Sequence, residues 1–461
     1  MLTKEQAFDI FQRTKKFSTV DEVEVLISGG HSALTRFANN TITQNVADEN
    51  YEVSVRVAFD HKTARATTNR LDDEGLKNVV EAAESLTRLQ EPDSDLLPMP
   101  TATKASHGDE PIRYFEKTAS LGPMERAEMV AKMVAVAKRE KLTAAGVSAS
   151  GEHVDAIFNS RGVEAYHAQS SAEVSITMIA PDSSGWQKAN SPDASQVDAA
   201  RLAEIAAEKA RVSAQPKEIA PGKYTVILEP AAVLDLIGFM MWDFSGLALL
   251  EQRSCLQNRV GTKFFGENIT ITDDAYHPLQ AGPAFDGEGV RRQPVNMVRQ
   301  GVVQSVVFSR GSAALAKKSD LAGKIGDIRP TGHGFPLPNE MGEAPLNVVF
   351  APPAAGQERT VEQMIAGTER GVLVTRLWYI REVEPYEKLL TGMTRDGTFW
   401  VEGGKVRHGL RNFRFNQSVI QLLQNVAEMS IPVRASGEES FDMVVPAMKV
   451  MDFNFTEVTR F

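Results

Sequence analysis

Asp286-Gly287-Glu288-Gly289 sets two carboxylates one residue apart among glycines, shortly after Pro283. Glycine lets a backbone approach a ligand closely, so Asp286 and Glu288 are candidates to hold one. The same pattern suits a turn whose carboxylates meet solvent. Gly332-His333-Gly334 puts His333 in the same position, as a loop residue or a ligand contact. Thr391-Gly392-Met393-Thr394-Arg395-Asp396-Gly397 is denser in polar groups. Arg395 and Asp396 there could bind a peptide backbone or carboxylate through charge-assisted hydrogen bonds. A hairpin loop with an internal Arg395–Asp396 pair is the alternative.

Familiar catalytic signatures are absent. The eight histidines are His31, His61, His107, His153, His167, His277, His333 and His408, and no two lie within six residues of one another. A helical zinc pair needs two imidazoles on one helical face, so the spacing excludes it. A site assembled from distant residues stays open. Gly311 to Ser319 superficially resembles a phosphate loop, but it lacks the second glycine that lets backbone amides reach phosphate. It reads as the start of a surface helix. The chain contains neither Gly-x-Gly-x-x-Gly nor Gly-x-Ser-x-Gly.

The elements that must position these residues belong to a globular chain of 461 residues, 42% apolar and 24% charged. That length predicts two or three domains. A net charge of −10 opposes direct nucleic-acid binding, which needs clustered Lys and Arg. A single cysteine, Cys255, rules out an internal disulfide and fits a reducing, cytoplasmic setting. The N-terminus lacks the apolar core of a signal peptide. The longest apolar stretch, Ala231 to Trp242, is interrupted by Asp235 and is too short for a membrane span, so it reads as a buried helix.

The pattern predicts an α+β fold. Thr3 and Gln6 form a capping box for a helix whose face is Ala7, Ile10 and Phe11. Period-two alternation in 22–27 and at Val53, Val55 and Val57 marks antiparallel strands, with a turn at His61-Lys62. Helices follow over 72–89, 123–142 and 198–214, with a proline-rich loop over 92–105. Between the last two helices, strands are expected at 146–151, 153–158, 163–169 and 172–179, turning at Asn159-Ser160-Arg161-Gly162. Two prolines and a glycine in 215–222 mark a boundary. We therefore expect an N-terminal domain of antiparallel strands and helices over 1–215. A β-rich C-terminal domain is expected over 222–461, with strands at 224–228, 302–308, 346–350, 372–378 and 398–401. Thr360 and Gln363 cap a short helix ended by Gly367 or Gly371.

Several segments in order resemble the TldD/PmbA family of metalloproteases and modulators of DNA gyrase. They are Arg36-Phe37-Ala38-Asn39-Asn40, Val53 to Val57, the Asn159–Gly162 turn, Gly222 to Leu228, Asp286 to Val290 and Thr331-Gly332-His333. Thr375 to Arg381, which adds Arg376 to the substrate-binding candidates, and Phe399 to Lys405 extend the match over nearly the whole chain. Proteolytic members carry His-Glu-x-x-x-His on the helix after the Val-Ile-Leu strand, and a cysteine near the C-terminus. Here the corresponding positions hold Leu234, Asp235 and Phe239, and 435–440 contains no cysteine. Leu and Phe cannot ligate zinc. The resemblance is therefore to the PmbA/TldE-like branch that lacks the motif. It implies no catalytic or metal-binding residue in this chain, with zinc confined to a partner subunit. It also implies a homodimer or a heterodimer with a zinc-bearing TldD-like relative, enclosing a channel for unfolded peptides. Two other readings stand beside it: an autonomous peptidase or hydrolase built from distant residues such as Asp286, Glu288 and His333, and a homodimeric peptide-binding protein.

Overall fold

The computed structural model describes residues 1–102 and 110–459. The loop expected over 92–105 is irregular as far as Ala102; its last three residues, and His107, lie outside the described residues.

Six strands form the first sheet: β1 Glu22–Ala38, β2 Thr41–Phe59, β3 Lys62–Thr68, β4 Thr143–Asn159, β5 Glu164–Ile179 and β6 Ser184–Ser191. Their order is β3-β2-β1-β4-β5-β6, antiparallel throughout. Val23, Val25 and Ile27 pair with Val57, Val55 and Val53, and all six are buried. Each such side chain contributes roughly 1.5–3 kcal/mol on burial, so a charge at Val55 would break this end of the sheet. The helices Lys4–Phe17 and Asp73–Leu89 cover that end, with Phe11 stacked on Phe158 at 5.6 Å. The helices Pro123–Glu140 and Ala199–Val212 cover the other end. Ala203, Ala206, Ala207 and Ala210 form the buried stripe of the latter, and their small size lets it lie directly on Gly185 of β6.

Two expectations need correction here. The four strands expected between 146 and 179 are two, because β4 and β5 pair without interruption past Gly151 and Ser171. Strand β6, with its polar Ser-Gly-Trp-Gln-Lys-Ala-Asn-Ser sequence, escaped detection because it lacks an apolar alternation.

The rest of the chain forms a second sheet and a barrel. The remaining strands are β7 Gly222–Leu228, β8 Ile271–Asp273, β9 Val295–Arg299, β10 Val302–Val303, β11 Val348–Phe350, β12 Arg370–Glu384 and β13 Leu389–Glu402. After them come β14 Lys405–Gly409, β15 Phe413–Ser418, β16 Val426–Met429, β17 Val433–Ala435, β18 Met443–Val445 and β19 Met448–Val458. The second sheet runs β10-β9-β8-β11-β18-β17. The other runs β12-β7-β19-β15-β13-β14, and an additional β12–β13 pairing closes five of its strands into a ring. The strand expected over 302–308 forms only at Val302–Val303; Val306, Val307 and Phe308 are buried but enter no ladder strand. The segment 391–397 is not a hairpin loop but part of β13.

The helix Pro230–Met241 packs against β12, β17 and β18, between the barrel and the second sheet. Its prolyl first turn suits a helix start. Val233, Leu234, Leu236, Ile237 and Met240 are fully buried, as an apolar helix requires, whereas Trp242 is 42% exposed at the helix end. None of the helices in the described residues is long and apolar enough to cross a membrane.

Candidate functional site

The helix that follows β7 and the segment after β17 meet in space. The Asp235 Oδ1 accepts the Glu439 amide at 3.1 Å. Gly238 faces the Ser440 side chain and Gly437 faces Leu234 and Asp235, each so closely that a Cβ would collide. Asp235 is fully buried, and its Oδ2 has no hydrogen-bond partner among the described residues. Burial pushes its carboxyl up to about 7, reinforced by the Glu439 charge and opposed by the Glu439 amide and Arg376. The segment itself is tied down. Glu439 accepts the Tyr379 amide at 2.7 Å, and Lys188 of β6 donates to the Gly437 carbonyl at 3.3 Å.

These residues do not fit a zinc ion. Leu234 offers no lone pair, Phe239 is half-buried hydrocarbon, and Asp235 has one oxygen engaged by backbone. Among the described residues no group of three His, Cys, Asp or Glu side chains is placed to hold a metal.

Beside this helix, the structure brings Arg376, Arg395 and Asp396 together, because Arg376 of β12 pairs with Arg395 of β13. The Arg376 Nη2 lies 2.7 Å from Asp396 Oδ2, and both side chains are buried. The Ser184 hydroxyl of β6 donates to Asp396 Oδ1 at 2.6 Å. The Arg376 guanidinium sits 4.7 Å from the Trp186 ring and 5.5 Å from Trp378, and Arg395 lies 4.6 Å from Trp378. A bulge makes this possible. Asp396 and Gly397 have φ of 52° and 137°, and the β12–β13 register slips there. Bulges re-aim side chains in this way, turning Asp396 inward while Arg395 stays outside.

Asp286 and Glu288 also come together, but not at the surface. Asp286 is buried and accepts the amides of Glu288, Val290 and Gly334 at 3.0, 2.8 and 2.8 Å. This corrects the picture of a turn whose carboxylates meet solvent: the turn is real, and its carboxylates point inward. Burial raises both carboxyls, with the Asp286 charge adding to Glu288, which reaches about 7. Glu288 accepts the Arg310 amide at 3.0 Å, leaving its Oε2 3.6 Å from Arg310 Nη1. His333 follows a different bond network. Its Nε2 is 2.9 Å from Asp273 Oδ1 and its Nδ1 2.9 Å from Thr331 Oγ1, in full burial. Asp273 also accepts the Asn347 amide at 2.7 Å, a role no local motif announced. These three residues fasten loops to one another. The arrangement leaves no open face for a substrate on His333.

Sequence spacing also missed a Ser28, His153 and Asp155 cluster, in which the β1–β4 register brings Ser28 to His153 and Asp155, neighbours on one face of β4. Ser28 Oγ is 3.1 Å from His153 Nε2 and donates to Asp155 Oδ1 at 3.0 Å. The hydrogen bond to Asp155 raises the pKa of His153. The same Nε2 faces both partners, at 3.2 Å from Asp155, so it holds a proton rather than taking one from Ser28. The geometry is that of a polar sheet face and not of a nucleophilic triad.

The sequence matches the profiles of the PmbA/TldA metallopeptidase domain 1 over 23–87, the central domain over 116–214 and the C-terminal domain over 221–457. It is 24% identical over 296 residues to an uncharacterized protein of Methanocaldococcus jannaschii, covering 62% of this chain and 67% of that one. It is 21% identical over 334 residues to a metalloprotease of Methanothermobacter thermautotrophicus, covering 68% of each. Its fold is similar to the crystal structure of TldE from Thermococcus kodakarensis, with a TM-score of 0.84 at 20% identity over 98% of this chain and 100% of that one. A candidate modulator of a DNA gyrase from Thermotoga maritima aligns with a TM-score of 0.80 at 21% identity, over 98% and 100% of the two chains. With the three profiles together spanning most of its length, the chain belongs to the TldD/PmbA family of PmbA/TldA metallopeptidases.

Proposed function

We propose that this chain is the non-catalytic subunit of a TldD/PmbA-type peptidase complex acting on unfolded peptides. The observation that carries the reading is the contact between the helix Pro230–Met241 and the segment 436–440. The positions where proteolytic relatives carry their motif are here Leu234, Asp235 and Phe239, and Gly437, Glu439 and Ser440 close over Leu234, Asp235 and the neighbouring Gly238. A helix so filled serves packing, and the zinc chemistry would come from a partner subunit. The chain would then act by presenting surface, as one half of a dimer whose interface is of the obligate kind, typically above about 2,000 Å². The gyrase label on a relative comes to this chain only indirectly, through proteolysis of some regulator, because a net charge of −10 disfavours contact with DNA.

The test is to purify the chain alone and with a relative that carries His-Glu-x-x-x-His. Sedimentation should give a dimer alone and a heterodimer in the mixture. Only the mixture, or the relative, should cleave an unstructured peptide. Hydrolysis by a monomer of this chain alone, undiminished by chelator, would overturn the reading.

A further inference from the structure

Between the first sheet and the barrel lies a cavity of about 410 Å³. One wall is Asp182 and Ser183 of the turn before β6 and Ser184 at its start, together with Ser213, which caps the helix Ala199–Val212. The opposite wall is the β13 bulge, with Arg395 and Asp396, and Arg411 beyond β14.

The polar groups of this cavity are unevenly matched. Asp396 is satisfied by Arg376 and Ser184. Ser183 donates to the Ala210 carbonyl, Asp182 accepts the Gln215 amide, and Arg411 pairs with Glu218 at 3.1 Å. Ser213 and Arg395 keep donors to spare. Ser213 is 7% exposed, and its Oγ has no hydrogen-bond partner among the described residues. The Arg395 guanidinium carbon lies 4.6 Å from the centre of the Trp378 ring, and its Nε is 3.5 Å from Asp396. A guanidinium placed against an aromatic ring keeps its N–H groups for other partners, and its planar fork suits a bidentate oxyanion.

An acceptor-rich ligand suits these donors. The carboxylates of Asp182 and Asp396 in the same walls oppose a doubly charged phosphate more strongly than a singly charged carboxylate. The volume falls in the range of small-ligand sites, roughly 300–1,000 Å³. We infer that this cavity binds the free C-terminal carboxylate of a short peptide, on Arg395 with Ser213 as a second donor. The inference deepens the peptidase-subunit reading, on which it rests for its ligand class. It gives this subunit a place to hold a chain end while the partner performs cleavage.

The experiment is calorimetric titration of the intact protein with trialanine, with trialanine amide and with inorganic phosphate. Trialanine should bind measurably in the millimolar range or tighter. Amidation should weaken binding about ten-fold or more, the loss expected for a charge-assisted pair. Arg395→Gln should cause a comparable loss with trialanine and leave the melting temperature unchanged. Equal binding of acid and amide, or no binding of trialanine, overturns the inference without recourse to any variant. Tighter binding of phosphate than of trialanine overturns the choice of a peptide. Failure here leaves the cleavage test of the mixed complex standing, so the two readings fall separately.

Discussion

Asp235→Asn is the most direct probe of the helix where the family motif would lie. The carboxyl is fully buried, with one oxygen on the Glu439 amide and the other unpartnered among the described residues. Its pKa rises from 3.8 to about 7 in the folded chain. Between those values the unfolded state has released the proton and the folded state has kept it, so stability falls as pH rises and levels off above the folded pKa. At about 1.36 kcal/mol per unit, the segment from about pH 5.5 to about pH 7 is worth about 2 kcal/mol. Asparagine keeps the carbonyl that accepts Glu439 and removes the ionisation. It puts an amide where Oδ2 had no partner, a pH-independent cost of roughly 1–3 kcal/mol. The variant should thus be the less stable protein at about pH 5.5 and should recover about 2 kcal/mol relative to wild type by about pH 8.5. Urea unfolding of both proteins at both pH values reads this, and comparison at equal pH cancels every other titrating group. A difference between the proteins that stays the same at both pH values would refute the burial argument. In the mixed complex, the same variant should leave peptide turnover largely intact. Loss of turnover with folding and assembly unchanged would place Asp235 in catalysis instead.

Purified protein should carry no stoichiometric zinc, and elemental analysis giving about one tightly held ion per chain would contradict the argument that Leu234, Asp235 and Phe239 do not fit zinc. Gly238→Ala should destabilise by roughly 1–3 kcal/mol through collision with Ser440, and Ser440→Gly should restore most of that in a double-mutant cycle of unfolding free energies. Arg376→Met should cost about 3–5 kcal/mol, because it strands the buried Asp396 charge, and Arg376→Met with Asp396→Leu should recover much of the loss in the same denaturation assay. Glu288→Gln should raise stability at alkaline pH relative to wild type, since burial beside Asp286 lifts the Glu288 carboxyl and stability is lost as pH rises through about 7.

What the sequence made legible was local. The Thr3–Gln6 capping box, the face Ala7, Ile10 and Phe11, and the turn at Gly162 depend on neighbours within a few residues, and all occur as expected. The buried helix from Pro230 was legible for a related reason: hydrocarbon on every side leaves only burial as a solution. The limits were equally physical. Strand β6 has no apolar alternation because its Ser184, Trp186 and Lys188 answer groups from the far half of the chain: Asp396, Arg376 and Gly437. Such contacts exist only once the first sheet and the barrel are docked, so nothing in 184–191 taken alone could announce a strand.

The same reasoning explains how the candidate residues sort. Arg395 and Asp396 stand out by composition and Arg376 by the family resemblance, and the three lie together because a β12–β13 register and a bulge place them so. Asp286, Glu288 and His333 were chosen for composition too, yet their loops are buried and their polar atoms are used by backbone amides, Arg310 and Asp273. A polar group engaged by its own fold cannot engage a substrate without losing those bonds. The distinction is thus between polar groups the fold has consumed and polar groups it has left over. Arg395, placed against Trp378, and Ser213, buried and unpartnered among the described residues, belong to the second kind. Asp235 stands between them, with one oxygen consumed and one left in hydrocarbon. An acid in that position keeps its proton below about pH 7, and above that its ionisation opposes the packing of the helix Pro230–Met241.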